Sequence, residues 1–378
     1  MAAENVVVTG LGLVTALGND LQSTWLRLLN GDTAIALRQP LPEISAQPLA
    51  MIGKYPATLT HLIHQVITAA LEDAQLSPPL PTCGVVVGSS RSYQSVLEDI
   101  SARWRTQHQS PEGWLEALPH MGAIAAARKI GSQGPIKAPM AACATGLMAL
   151  FQGWDMVRRG ECDRVVVASA EAPITPLTLA GFRQMGALAK SGCYPFDVNR
   201  EGLVLGEGAA ALVLESAKAA RHRQIENYGR LLGFGMSADG HHVSAPDPSL
   251  RDSYRAVLSC LERSDLTPAD VNFIHAHGTG TRLNDIREAT LIQKIFPPET
   301  PVGSTKGSTG HTLGASGGLG VVFSLLALRY QTLPPTVGLQ QALLPLNFVR
   351  QAQAYQTEAA LCLGFGFGGQ NIALALSH

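Results

Sequence analysis

The sequence predicts an α/β protein whose sheets are covered by helices on both faces. Short runs rich in β-branched residues alternate with longer amphipathic stretches, which is the pattern of strands separated by helices. The 378 residues are 46% hydrophobic and 15% charged, enough for one large core or two domain-sized cores. The 38 glycines indicate many tight turns in a compact chain, and the composition is not that of a disordered or fibrous protein.

The element predictions rest on apolar runs bounded by polar residues or glycine. The predicted strands are Asn5–Thr9, Cys83–Val87, Arg164–Ser169, Ala209–Leu214, Gly229–Phe234, Phe273–Ala276, Ala359–Leu363 and Ile372–Leu376. The predicted helices are Ser23–Leu29, Leu59–Ala74, Ala123–Lys129, Cys143–Arg159, Arg251–Arg263, Asp285–Ile295 and Gly317–Tyr330. The alternation of strands and helices starts again after residue 220, so we expect two similar halves, 1–220 and 221–378.

Charge and cysteine content narrow the range of functions. A net charge of -1 gives no electrostatic reason to expect nucleic acid as a partner. The six cysteines are scattered without CxxC pairs, which favours neither a disulfide framework nor a metal site. No secretory signal is evident, and no run approaches the roughly 18–20 apolar residues of a membrane span. We therefore expect a reducing, cytoplasmic setting.

Two glycine-containing segments are compared with nucleotide-binding loops. The stretch from Thr9 to Gly12 follows a predicted strand, but Thr15 stands where a dinucleotide fingerprint needs its third glycine. The segment Gly303–Gly307 contains Lys306 but lacks the spacing of a phosphate-binding loop. Neither segment favours nucleotide binding.

The first candidate for chemistry is Cys143, in the sequence Ala-Ala-Cys-Ala-Thr-Gly-Leu. Pro139 and the small residues predict a tight turn, and the apolar run to Met156 predicts a buried helix. At the start of that helix, free N–H groups and the helix dipole would favour a thiolate. Most buried cysteines are only small apolar side chains. That interpretation is kept for Cys83, Cys162, Cys260 and Cys362.

Two further segments carry candidate catalytic groups. His277 follows a predicted strand in the sequence His-Ala-His-Gly-Thr-Gly-Thr, where Gly278 and Gly280 allow the chain to bend. His275 is interpreted as a packing residue. Lys306 and His311 lie in a Ser/Thr/Gly-rich loop that enters a helix of small residues, which is unusual for a solvated surface, although an exposed turn lysine is the simpler alternative.

Together these motifs resemble the elongating β-ketoacyl-acyl carrier protein synthases, members of the thiolase-fold condensing enzymes. The resemblance begins at Val-Val-Thr-Gly-Leu-Gly and continues through the motifs around Cys143, His277 and Lys306 to Gly-Phe-Gly-Phe-Gly-Gly near the C-terminus. It also includes the Arg-Glu-Gly to Gly-Glu-Gly stretch that starts at Arg200, and Asn284 with the aspartate that follows it. It implies a thiolase-like α/β fold, with two similar halves in a layered αβαβα sandwich.

The resemblance also implies residue roles. Cys143 would accept an acyl group from a carrier-bound thioester, while His277 and His311 donate hydrogen bonds to the malonyl thioester carbonyl during loss of CO2. Lys306 would add positive potential, and backbone N–H groups of Cys143 and Phe367 would meet the tetrahedral oxyanion. Thr279 and Thr281 would hold the pantetheine arm. Phe367 would act as a gate, and Phe182 as an aromatic wall of the acyl or malonyl pocket.

The implied partners are acyl carrier protein, acyl and malonyl thioesters, and a second subunit in a homo- or heterodimer. No cofactor and no metal are expected, and 4'-phosphopantetheine enters only as part of the carrier substrate. The pair His277 and His311 favours elongation over the chain-starting branch, which uses Cys-His-Asn. Gly320 stands where the family usually has a glutamate, so we expect a relaxed scaffold, or another group in that role, in a divergent branch.

Two other functions remain open from the sequence. The first is a non-catalytic partner subunit resembling the chain-length factors, although such proteins commonly lack the reactive cysteine. The second is a cysteine-dependent hydrolase or acyltransferase without condensation, which would leave the two histidines and the lysine unexplained.

Overall fold

The computed structural model describes residues 5–42, 44–107 and 110–378. Its strands are β1 Val6–Thr15, β2 Ala36–Arg38, β3 Gln47–Leu49, β4 Gly84–Gly88, β5 Ile136–Lys137, β6 Arg164–Glu171, β7 Gly208–Ser216, β8 Gly229–Ala238, β9 Phe273–His275, β10 Pro301–Gly303, β11 Thr332–Leu333, β12 Asn347–Phe348, β13 Gln353–Ala354, β14 Ala359–Gly366 and β15 Gln370–Ser377. Its helices are α1 Leu21–Leu29, α2 Leu59–Asp73, α3 Gln94–Gln107, α4 Met121–Ile130, α5 Thr145–Arg158, α6 Pro176–Gln184, α7 Ala217–His222, α8 Arg251–Arg263, α9 Arg282–Ile295, α10 Lys306–Thr309 and α11 Ser316–Tyr330.

Every predicted strand and helix overlaps an observed element of the same type. The elements that sequence patterning missed are mostly short, and strands of two or three residues such as β10 are too short to show a hydrophobic period. Helix α3 is longer, but Ile100 is its one buried residue among those described. It therefore lacks the apolar stripe by which a helix is recognised.

The two halves repeat the same strand order. In the described residues one sheet of eleven strands runs β12-β10-β9-β14-β15-β8-β1-β7-β6-β4-β5. Counted outward from the centre, β1-β7-β6-β4-β5 matches β8-β15-β14-β9-β10, with two antiparallel pairings followed by two parallel ones in each half. The halves join where Val6–Val8 pairs antiparallel with Gly229–Leu231. This repetition places β9 and β10 in the second half where β4 and β5 stand in the first.

Helices lie in three layers around the strands. Helices α2 and α4 pack on the outer face of the first half, and α8 and α9 pack on the outer face of the second. Helices α5 and α11 lie between the strands of the two halves in one shared core. The predicted α/β fold of two similar halves in a layered αβαβα sandwich is therefore confirmed. The division at residue 220, which falls within α7, stays a prediction.

Helix α11 lies in an apolar segment that is longer than the sequence analysis expected. The window Leu313–Tyr330 has a mean hydropathy of 1.4 and is long enough to cross a membrane, so the expectation that no run approaches such a span is wrong. However, 89% of this window is buried inside the protein. A helix that is apolar on all sides suits the centre of a large protein, where it is covered all round. Its burial identifies α11 as a core helix.

Candidate active site

Cys143 lies in a 3-10 turn, Ala142–Ala144, directly before the first residue of α5. Ala142 has the left-handed φ of 47°, a conformation that costs about 1–3 kcal/mol for a residue with a side chain. The Thr145 hydroxyl holds this turn, donating to the Ala142 carbonyl at 2.6 Å and accepting from the Ala141 N–H at 2.9 Å. The predicted position of Cys143 beside a helix start is therefore confirmed.

The position of Cys143 at a helix start suggested a thiolate, whereas its burial favours a protonated thiol. Burial raises the pKa of its thiol to about 12, against the opposing effect of the Lys306 charge. Glu171 raises this pKa further. The thiol of the unliganded protein is therefore protonated at neutral pH, because loss of solvation outweighs the helix dipole. Nucleophilic attack then requires a nearby base to accept the proton.

His277 is positioned by a carboxylate on α9. The backbone N–H groups of His277 and Gly278 donate to the two oxygens of Glu288 at 2.6 and 2.7 Å. Gly278 has a φ of 40°, and a Cβ there would lie 2.6 Å from the Cβ of Ser304. The loop after β9 can therefore turn toward the cavity only with glycine at position 278.

Lys306 is buried, with 4% of its surface exposed, and its ammonium donates to the carbonyl oxygen of His277. The alternative of an exposed turn lysine is therefore wrong. Burial lowers the pKa of Lys306, and the Glu288 carboxylate counteracts this effect. Burial also raises the pKa of Glu288, to about 7. The two groups therefore place one positive and one partly titrating negative charge beside the His277 loop.

His311 is fixed through both its backbone and its ring. Its N–H donates to the Val204 carbonyl at 2.6 Å, and its own carbonyl accepts from the Gly206 N–H at 3.0 Å. Its Nδ1 lies 3.0 Å from the hydroxyl of Ser316, the first residue of α11. This contact leaves Nε2 as the ring nitrogen available to a substrate in the cavity.

The two candidate histidines face one another. The rings of His277 and His311 meet edge to face, with centroids 5.4 Å apart and planes at 85°. Burial first, and then the charge of Lys306, lower the pKa of both rings well below the usual value. Both imidazoles are therefore neutral at pH 7, and each provides one N–H donor and one acceptor nitrogen.

A cavity of about 870 Å³ brings most of the predicted residues together. Its lining includes Cys143, His277, His311, Thr279, Thr281 and Phe367. The hydroxyls of Thr279 and Thr281 lie 2.9 Å apart on the wall of the cavity. In the described part of the chain, two predicted residues do not line the cavity. Lys306 lies behind His277 and donates to its carbonyl oxygen. Phe182 packs against Phe367, with ring centroids 6.1 Å apart.

The end of β14 closes one side of the Cys143 turn. A Cβ on Gly366 would approach the Cys143 nitrogen to 3.3 Å, so only glycine allows this strand to lie so close. The N–H of Phe367 donates toward the Cys143 sulfur and favours its ionised form. The Phe367 N–H therefore lies beside the thiol, and its part in an oxyanion site stays a prediction.

Two buried carboxylates, Glu171 and Glu288, support the site, and the sequence analysis did not identify either of them. Glu171, at the end of β6, accepts from the N–H groups of Ser90, Arg91 and Gly314. It thereby ties the loop after β4 to the loop that carries His311. The signal that could have found it is an acidic residue ending an otherwise apolar strand, because a buried carboxylate needs several donors.

Other side chains fill the space around Gly320. A Cβ at this position would lie 2.8 Å from the ring of His275 and 3.0 Å from the sulfur of Cys362. The imidazole of His275, on β9, therefore occupies the space beside α11, and the missing side chain at Gly320 does not leave a void.

Comparisons with known proteins agree with this geometry. Residues 57–220 match the family model described as beta-ketoacyl synthase, N-terminal domain, and residues 228–340 match that of beta-ketoacyl synthase, C-terminal domain. The chain is 33% identical to 3-oxoacyl-[acyl-carrier-protein] synthase 2 of Synechocystis sp., over 98% of this chain and 97% of the relative.

Two solved structures share the fold over nearly the whole chain. A beta-ketoacyl synthase from Burkholderia phymatum superposes with a TM-score of 0.92 at 26% identity, covering 99% of each chain. A ketosynthase in complex with its chain length factor, from Xenorhabdus doucetiae, gives a TM-score of 0.84 at 26% identity, covering 99% of this chain and 98% of the other. The chain therefore belongs to the β-ketoacyl synthase family and is an acyltransferase of that family.

Proposed function

We propose that the chain catalyses decarboxylative Claisen condensation of an acyl thioester with malonyl-acyl carrier protein, giving 3-oxoacyl-acyl carrier protein in fatty acid or specialised lipid or polyketide synthesis. The observation that carries this proposal is the pair of buried, neutral imidazoles, His277 and His311, beside the buried thiol of Cys143 in one cavity. A cysteine alone would serve acyl transfer, whereas two neighbouring imidazole N–H donors suit a developing enolate.

The first step is acyl transfer to Cys143. The thiol is protonated, so one of the neutral imidazoles accepts its proton as the sulfur attacks the thioester carbonyl. A new sulfur–carbon bond forms, and the N–H groups of Cys143 and Phe367 stabilise the tetrahedral oxyanion. The bond to the carrier thiol then breaks, and the imidazole returns the proton to that leaving group.

The second step is loss of CO2 from the malonyl unit. The bond between the carboxylate and the α-carbon breaks, and its electron pair moves into an enolate on the thioester oxygen. N–H groups of His277 and His311 donate to this oxygen most strongly as its charge grows, which lowers the barrier. Lys306 adds positive potential through the His277 loop.

The third step forms the carbon–carbon bond. The enolate carbon attacks the carbonyl of acyl-Cys143, a tetrahedral oxyanion forms at the same N–H groups, and the Cys143 thiolate leaves. A proton from solvent then restores the thiol. Condensation therefore consumes one proton overall and releases one CO2.

The proposal includes the partners that this reaction requires. Thr279 and Thr281 line the cavity where a pantetheine arm would enter, and the Synechocystis relative is named for its acyl-carrier-protein substrate. The reaction uses 4'-phosphopantetheine as part of that substrate and needs no resident cofactor or metal. We further propose a dimeric, cytoplasmic enzyme, in line with the complex of a ketosynthase with its chain length factor.

The experiment that tests this function combines product analysis with intact-mass measurement. The protein incubated with acyl- and malonyl-carriers should release CO2, form a 3-oxoacyl product and gain one acyl group at Cys143. A panel of acyl chains of graded length should reveal the preferred substrate. Cys83→Ser, which changes another buried cysteine, should load normally as a control.

Variants of the nucleophile separate this function from the alternatives. Cys143→Gln should stop condensation and retain or raise malonyl decarboxylation, because the amide mimics the acyl thioester beside intact histidines. Loss of both activities would contradict the division of roles. If Cys143 of the wild-type protein stays unmodified, the result would favour a non-catalytic partner subunit. This is the second candidate function, because the chain is similar to a ketosynthase that was solved in complex with its chain length factor. Acylation without decarboxylation would favour a hydrolase or simple acyltransferase.

A further inference from the structure

His275 is a buried imidazole that the proposed mechanism does not use. It is the last residue of β9, two positions before His277, and 3% of its surface is exposed. Its Nε2 lies 3.2 Å from the hydroxyl of Thr305, the residue that precedes Lys306. The ring therefore connects the strand that leads to His277 with the loop that presents Lys306.

The other edge of the ring faces α11 and β14. An added Cβ at Gly320 would lie 2.8 Å from both Cε1 and Nδ1 of His275, closer than real Cβ contacts. The sulfur of Cys362 lies 3.9 Å from Nδ1. Four segments of the site thus converge on one imidazole, and a side chain at position 320 would displace it.

The electrostatic environment suits a neutral ring at this position. Burial first, and then the charge of Lys306, lower the pKa of His275 to about 3, so the imidazole adds no second positive charge beside that lysine. A neutral ring can still exchange one hydrogen bond with Thr305. Phe273 and Phe323 complete its surroundings, with ring centroids 6.4 and 6.5 Å away.

We propose that His275 is a positioning residue that holds the Lys306 loop against the His277 loop, and that it forms a matched pair with Gly320. The imidazole at 275 requires the absence of a side chain at 320, and it fills the space which that absence leaves. This inference rests on the proposed function for its effect on catalysis, whereas the steric pairing stands on geometry alone.

A double-mutant cycle tests the pair. Gly320→Ala should push the imidazole aside and lower both the melting temperature and the kcat for malonyl decarboxylation, the latter by on the order of 10- to 100-fold. In a His275→Ala background the same change should have a much smaller effect, because the ring is gone. Gly181→Ala is the matched control, since nothing lies within 4 Å of an added Cβ on that helical glycine.

Substitutions at position 275 test the hydrogen bond to Thr305. His275→Leu fills the space without a polar atom and should lower kcat with little change in KM. His275→Gln can place a nitrogen near the position of Nε2 and should recover most of the rate. Equal rates in these two variants would overturn the positioning role, because mere filling of space would then suffice.

The outcomes separate the two proposals. Additive losses of thermal stability in the cycle, or a Gly320→Ala protein as stable as Gly181→Ala, would overturn the matched pair. A wild-type protein that never decarboxylates a malonyl thioester would overturn the proposed function, and the unfolding measurements alone would then decide on the pair. Non-additive losses of stability, together with rescue by glutamine, would support the inference in full.

Discussion

The imidazole of His311 stands edge to face against that of His277, at a centroid distance of 5.4 Å, and its Nδ1 contacts the Ser316 hydroxyl. These contacts orient the remaining nitrogen, Nε2, toward the cavity that Cys143 lines. Both rings are neutral because burial and Lys306 disfavour the charged form. In the proposed reaction, neutral donors would bind the neutral thioester carbonyl and interact more strongly as the enolate forms, which is the requirement for catalysis.

Replacing either histidine should separate the two half-reactions. His311→Ala should reduce malonyl decarboxylation by about 10²- to 10³-fold, the usual loss when one oxyanion donor is removed. Acylation of Cys143 should fall less, because the second imidazole can still accept the thiol proton. The measurements are CO2 release and intact mass, with the exposed His61→Ala as control. Equal losses in both half-reactions would contradict separate roles.

Most of the fold followed from sequence because its long elements carry clear periods. The strands β1, β6 and β7 each contain a run of apolar residues, and a strand buried on both faces is recognisable from such a run. Strands such as β10 form because neighbouring strands supply their partners, and three residues contain no period. Helix α3 exposes most of its surface, so its sequence lacks an apolar stripe.

The site was predictable where chemistry and glycine occur together in the chain. Cys143 and His277 stand beside small residues that predict turns, and turns at element ends are where catalytic groups are placed. The supporting carboxylates were not predictable in this way. Glu171 and its partner Ser90 are 81 residues apart in sequence, so only the folded chain reveals their contact. The pairing of His275 with Gly320 is hidden for the same reason.

The reactivity of Cys143 should rise with pH across the neutral range. Only the thiolate is nucleophilic, and burial raises the pKa of this thiol to about 12. The alkylation rate by iodoacetamide should therefore rise about tenfold per pH unit between pH 7 and 9, since the thiolate fraction rises by that factor below the pKa. The label on Cys143, measured by peptide mass spectrometry, reports this rate. A plateau reached below pH 8 would indicate a stabilised thiolate instead.

Lys306→Met should move the acid limb of the Cys143 acylation profile to higher pH. The lysine charge lowers the pKa of His277 and His311, so its removal raises both values and allows the rings to protonate at milder acidity. A protonated ring has lost its acceptor nitrogen and can no longer take the Cys143 proton during acyl transfer. The pH dependence of the rate of Cys143 acylation, followed by intact mass, measures this shift, and the exposed Lys294→Met is the control. An unchanged acid limb would show that the lysine acts only by anchoring the His277 carbonyl.

Glu171→Ala should destabilise the protein and loosen the His311 loop. The carboxylate accepts from the N–H groups of Ser90, Arg91 and Gly314, and burial raises its pKa. Without it these N–H groups remain buried and unpaired, each costing about 1–3 kcal/mol. We expect a loss of about 2–5 kcal/mol in the free energy of unfolding, because some of the groups will find water or rearrange.

Chemical denaturation measures that loss, with Glu116→Ala on the surface as the control. Glu171→Gln should recover part of the stability, since its amide oxygen replaces one carboxylate oxygen as acceptor while its NH2 group faces the remaining donors. Because the pKa of the folded carboxyl is raised above its ordinary value, the contribution of its ionisation to stability is largest at low pH and falls as pH rises through the folded pKa. The difference between the wild type and Glu171→Gln should therefore shrink toward alkaline pH, and a difference that grows instead would contradict burial as the cause of the shift.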